Sequence, residues 1–213
     1  MMKSRWDFPP AVCGIKIALR RAALGYIPPV NAVLENPGKV WTYQNYLGLD
    51  DEIHFEIIGG KALMSPSPGL FHQRWVFRLA RIMERHAAAR KLGEVLVAPI
   101  DVVLDQENVV QPDVVFVSAA NAGLLDARGI MGAPDLVVEI ISPTSLRRDR
   151  YDKRELYARF GVKEYWLADV ANRSIEVLAL QQGAYQLLSC ATDEGKVRSE
   201  ILAGFELELS SLE

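Results

Sequence analysis

Cysteine is nearly absent. The chain has two, Cys13 and Cys190, among 213 residues, in neither a redox nor a zinc-ribbon spacing. Disulfide scaffolding and thiol nucleophiles are therefore excluded, and the expectation is free thiols in a reducing cytoplasm. Histidine is almost as scarce, and His54, His72 and His86 have no spacing that builds a histidine zinc site. Charge of one sign is also missing: a formal net charge of -3 gives no global attraction to a polyanion, so nucleic acid would need a local basic patch. No apolar run approaches the ~20 residues that span a bilayer. The stretch that imitates a signal peptide, AVCGIKIALRRAALGYIPPV, is interrupted by Lys16, Arg20 and Arg21 and closes on Pro28 and Pro29. No glycine-rich phosphate fingerprint follows a strand, which argues against a dinucleotide-binding fold.

Half of the residues are apolar, enough for one substantial core. The expected division is an N-terminal extension over residues 1–40 and one domain over 41–213. Thr42 reads as the N-cap of a short helix, and HFEIIGGKALMS as a hairpin turning at Gly59 and Gly60. Residues 68–92 form the most helical stretch. EVLVAPIDVVL, kinked at Pro99, then DVVFVS and DLVVEIIS read as strands. LRRDRYDKRELYARF is a second helix ending at Gly161, followed by strands EYWLADV and SIEVLAL and C-terminal hairpins. Helices embedded among buried strands give an α/β (α+β) class, a central mixed sheet flanked by helices, with extra hairpins.

Within DLVVEIIS, strand alternation puts Val137, Glu139 and Ile141 on one side and Leu136, Val138 and Ile140 on the other. Both sides are apolar, so the strand is covered on both faces. Glu139 is then either shielded and compensated at a site or salt-bridged to a nearby arginine. Asp113 opens the neighbouring strand, either capping a turn after Pro112 or converging on Glu139. Two converging carboxylates call for a divalent cation, and oxygen-only ligands suit Mg²⁺ or Mn²⁺. On a wheel at 3.6 residues per turn, Lys153 shares the apolar face with Leu156, Tyr157 and Phe160, while Arg148, Glu155 and Arg159 lie opposite. Its ammonium either snorkels to the rim or reaches the two carboxylates. Asp, Glu and Lys meeting at strand mouths would make a metal-dependent phosphodiesterase site. Asp101, at another strand start, is either a cap or an additional ligand.

QPDVVFVS, GAPDLVVEIISPTSLRRDRYDKRELYARFGVKEYWLAD and FEIIGGKALMSPSPGLFHQR resemble the Uma-type family of restriction endonucleases within the PD-(D/E)XK nuclease superfamily. The resemblance runs over about residues 41–180. It implies a restriction-endonuclease-like core, with Asp113 in the place of the superfamily's aspartate and Glu139 in that of its second acid. Where the superfamily's lysine stands two residues after the acid, this chain has Ile141, and Lys153 is the candidate replacement. Glu56 resembles the acid supplied from early in the core. His72 lies in the same matching stretch, as a core histidine or a substrate contact.

Arg74, Arg78, Arg81 and Arg85 form a narrow stripe on the long helix, the pattern of a solvated face. Arg147, Arg148, Arg150 and Arg154 cluster around Lys153, where phosphate must be neutralised. The leading expectation is a cytoplasmic, homodimeric, Mg²⁺- or Mn²⁺-dependent DNA endonuclease with no membrane partner, in which Asp113 and Glu139 hold the metal and Lys153 and Glu56 assist. The alternatives are a catalytically inactive nucleic-acid-binding relative and a structural or partner-binding domain.

Overall fold

The structure is a computed structural model and describes residues 33–34, 40–49, 55–64, 67–142 and 145–212. Most of the expected extension, together with Cys13 and His54, lies outside the described residues.

After β1 (Val33–Leu34), Thr42 caps α1 (Tyr43–Tyr46) through a capping box with Asn45. The hairpin β2 (Glu56–Ile58) and β3 (Lys61–Leu63) turns at Gly59 and Gly60, with φ of 56° and 72°, values that residues with a Cβ rarely adopt. Trp41 and Tyr43 are buried against Phe55 and Ile57 of this region. In α2 (Leu70–Arg90), Trp75, Val76, Leu79, Met83 and Ala87 recur every three or four residues and form the buried side.

The chain continues through β4 (Gly93–Val97), β5 (Val102–Asp105), β6 (Asn108–Val110), β7 (Val114–Ser118), β8 (Leu125–Asp126), β9 (Gly129–Met131) and β10 (Leu136–Ile141). EVLVAPIDVVL, expected as one kinked strand, is two strands in different sheets. Pro99 has no N–H to give a ladder and stands where the chain changes sheet. The second helix is also two pieces, a π-helical Arg148–Lys153 running into α3 (Arg154–Phe160). Gly161 ends it in the left-handed conformation. β11 (Glu164–Asp169), β12 (Ser174–Gln181), β13 (Ala184–Thr192), β14 (Lys196–Arg198) and β15 (Glu206–Glu208) complete the chain.

The main sheet has six strands in the order β13-β12-β11-β10-β7-β4. β10 pairs parallel with β11 across the helical crossover and antiparallel with β7. A seven-stranded sheet, β1-β3-β2-β6-β5-β9-β8, gathers the shorter strands, and β14 pairs with β15. The alternation along β10 sorts as its period requires. Leu136, Val138 and Ile140 join α2 and the C-terminal segment in one core. Val137 and Ile141 join Leu156 and Tyr157 of α3, with Val102, Val110 and Ile130 of the second sheet, in another. The main sheet is thus covered on both faces, as its unbroken apolar strands require.

One buried carboxylate fastens the C-terminal segment. Glu164, fully buried, accepts hydrogen bonds from the Trp166 indole N–H at 2.8 Å, the Ser199 hydroxyl at 2.7 Å and the backbone N–H groups of Glu200 and Ile201 at 2.9 and 3.2 Å. Glu164→Leu strands these donors and is expected to lower stability by roughly 3–5 kcal/mol. Urea unfolding of the variant beside the parent measures the difference, and a loss under about 1 kcal/mol would contradict this account.

Candidate active site

β10 and β7 position the first two carboxylates. The register Val138 to Val114, continued one step, sets Asp113 beside Glu139. Asp113 stands just before β7 and completes the ladder with its side chain, Oδ2 accepting the Ile140 N–H at 2.7 Å. The His72 imidazole, at the start of α2, lies 3.3 Å from the same oxygen. Lys153, 2 % exposed, places its ammonium 2.7 Å from Glu139 Oε1 and 2.7 Å from Glu56 Oε1. The Tyr157 hydroxyl donates to Glu139 Oε1 at 2.8 Å, and the Gln111 N–H donates to Glu56 Oε1 at 3.0 Å. Glu56, Asp113, Glu139, Asp149, Arg148, Lys153 and His72 line one pocket of about 640 Å³.

Of the residues expected from sequence, Asp113, Glu139, Lys153, Glu56 and His72 are brought together here. Arg148 joins them and corrects the wheel that set it opposite Lys153. Residues 148–153 are π-helical, and i to i+5 hydrogen bonding widens the turn so that residues five apart align. Its guanidinium approaches Glu56 Oε2 and Asp149 Oδ1, each at 3.8 Å. The other basic residues are not gathered. Arg150 pairs with Glu176 of β12 at 2.7 Å, Arg154 donates to the Tyr185 carbonyl at 3.0 Å, and Arg147, the helical residue before Arg148, is exposed. Asp101 lies outside the pocket lining, accepting from the Gln111 amide at 2.8 Å and near the Tyr46 hydroxyl. Asp149 was missed. It is 2 % exposed and lines the pocket, and its place four residues before Lys153 was an available ion-pair signal.

Burial sets the ionisation, and charges modify it. Burial lifts Glu139 well above the usual carboxylate range, Lys153 opposes the lift, and Asp149, Asp113 and Glu56 add to it. Burial also works to raise Glu56, but Lys153, Arg148 and the Gln111 N–H outweigh it and hold Glu56 below its ordinary value. Asp149 is raised, chiefly by burial. For His72, burial lowers the pKa and the bond to Asp113 more than restores it, so the imidazolium is favoured. Burial disfavours the Lys153 ammonium, but Glu139, Glu56 and Asp149 overcome this and keep it charged.

Four carboxylates thus face two permanent cations, Lys153 and Arg148, across the pocket. Glu56 Oε2 and Asp149 Oδ1 are buried without a hydrogen-bond partner. Among the described residues no group of three or more His, Cys, Asp or Glu side chains forms a ready ligand set for a metal ion. Mg²⁺ does not require one: it is typically held by one or two carboxylates and keeps several waters. The adjacent Asp113 and Glu139 carboxylates, an all-oxygen donor pair, fit a hard divalent cation.

The model of the Uma2 family, described as "Putative restriction endonuclease", matches residues 42–210. The chain belongs to this family. Among solved structures, an Anabaena variabilis ATCC 29413 protein described as "a putative nuclease belonging to DUF820" aligns with a TM-score of 0.65 at 17 % identity, covering 80 % of this chain and 96 % of that one. At that identity the likeness establishes the fold, which this Uma2 member shares. A search of curated proteins finds no match. No helix among the described residues is long and apolar enough to cross a membrane.

A carboxylate raised by burial has its ionised form disfavoured in the fold, so its contribution to stability is best at low pH and declines as pH rises through the raised value. Glu139→Gln removes that penalty. In metal-free buffer, the stability of Glu139→Gln relative to the parent is expected to increase between about pH 5 and 8. Denaturant unfolding across that range measures it, and a constant difference would show Glu139 to ionise as a solvent-exposed glutamate does.

Proposed function

We propose that this chain is a nuclease that hydrolyses DNA phosphodiester bonds with Mg²⁺ or Mn²⁺ bound. The observation that carries the reading is the convergence of Asp113, Glu139 and Lys153 from β7, β10 and the crossover helix on one pocket, two carboxylates that one divalent ion would bridge. Asp113 and Glu139 would hold the ion. When bound, it supplies an activated water and a Lewis acid for the phosphoryl oxygen.

The remaining roles belong to side chains. The Ile140 N–H fixes one Asp113 oxygen, and His72 braces the same atom, so the carboxylate is aimed without conformational search. Tyr157 does the same for Glu139. The Lys153 ammonium, fixed by two carboxylates, stabilises charge developing on phosphate and orients the attacking water. Arg148, side chain 15 % exposed at the pocket wall, offers the incoming phosphate a guanidinium fork. Glu56 keeps Lys153 charged and in place.

A second reading, binding of nucleic acid without hydrolysis, is favoured by one observation: the Lys153 ammonium already pairs both Glu56 and Glu139. Plasmid cleavage separates the two. Cutting is expected with Mg²⁺ or Mn²⁺ and not with EDTA, and Asp113→Ala or Glu139→Ala should each lower the rate at least ~100-fold. Retention of DNA without cutting selects the second reading, and neither activity removes both. A homodimer belongs to the same proposal. Sedimentation equilibrium is expected to return twice the 23.7 kDa chain mass, and a single-chain mass across the micromolar range would reject it.

A further inference from the structure

The outward face of α2 starts beside the pocket. Pro68, Gly69, His72 and Gln73 line the pocket, while Phe71 is outside its lining and 64 % exposed. Six residues on, Phe77 is 67 % exposed. Each ring carries a guanidinium: Arg74 lies 5.7 Å from the Phe71 centroid and Arg81 5.8 Å from that of Phe77. The helix has five arginines, Arg74, Arg78, Arg81, Arg85 and Arg90, against one acid, Glu84, in a chain whose net charge is -3. Glu84 is drawn toward the Val95 N–H and Arg78 donates to the Leu212 carbonyl, whereas Arg74, Arg81 and Arg85 are exposed. From Phe71 to Arg85 the stripe runs about 21 Å at the helical rise.

A solvated face needs charge but not bare phenylalanine. Two large exposed rings on a strongly cationic helix are the composition of a surface that neutralises phosphates and stacks bases. Bases inside a duplex offer no free face to such rings, so the stripe fits a strand that is unpaired. We infer that α2 guides a single-stranded segment of nucleic acid into the pocket, with Arg74, Arg81 and Arg85 on its phosphates and Phe71 and Phe77 under its bases. The inference deepens the nuclease reading and rests on it for the segment's destination. It narrows the substrate to nucleic acid with an unpaired stretch.

The test uses the full chain in EDTA, so that binding is read apart from cleavage, with a fluorescein-labelled oligothymidylate and a duplex of equal length as probes. Phe71→Ala and Phe77→Ala should each weaken single-strand binding about tenfold and leave duplex binding within about twofold. Arg74→Gln with Arg81→Gln should lower the magnitude of the salt slope of log K for the single strand by about 1.4. Single-strand binding that ignores both rings, or duplex binding that is as tight and as sensitive, overturns the inference. So does a change of oligomeric state in the phenylalanine variants without a change in oligonucleotide binding, which would assign the face to a second copy of the chain. Cleavage unaffected by these variants, with their binding also unchanged, leaves the nuclease standing and removes this surface. Ring-dependent binding in a protein that never cuts keeps the surface and removes the nuclease.

Discussion

The ammonium of Lys153, held between Glu56 and Glu139, joins three parts of the chain that apolar packing does not by itself bring to a point. Glu56 comes from the seven-stranded sheet, Glu139 from the six-stranded sheet, and Lys153 from the helix that crosses between β10 and β11. Two carboxylates in a dry space repel, and the lysine turns that repulsion into a joint. Burying such ions adds little net stability, but removing one partner leaves the others uncompensated at a cost of about 3–5 kcal/mol. The joint therefore fixes how the two sheets meet and where the pocket opens more than how firmly the domain folds.

That arrangement was legible in the sequence as far as simple periods apply. The two-residue period of β10 separated Glu139 from Ile140, and both faces of the strand pack as the alternation requires. The wheel placed Lys153 inward with Leu156 and Tyr157, and all three are buried. Thr42 and the glycine pair announced their cap and turn through residue type alone. Glu56 had no such pattern, and only the family resemblance singled it out. Beyond the β2–β3 hairpin and β5, the second sheet was hidden because strands of two to four residues, such as β6 and β9, are too short to display a period.

The arginines near Lys153 depart from the sequence reading for two reasons. Arg148 was set on the wrong face because a 3.6-residue turn was assumed where the chain makes a wider one. Such single π turns recur at functional sites, where they re-aim side chains that an ideal helix would scatter. Arg150 and Arg154, close to Lys153 in sequence, are claimed by Glu176 and by the Tyr185 carbonyl. Their partners lie on strands that follow, and no local reading of a basic run reveals a distant acceptor. A cluster of arginines in the sequence thus became one guanidinium at the pocket.

The joint has a consequence for the order of events during synthesis. A ribosome delivers Glu56, Asp113 and Glu139 before Lys153, and a domain folds as a unit. Until the crossover helix emerges, the nascent polypeptide carries acids with no ammonium to reconcile them, and closing so distant a contact is slow. The pocket thus takes its final form only once the crossover helix has emerged.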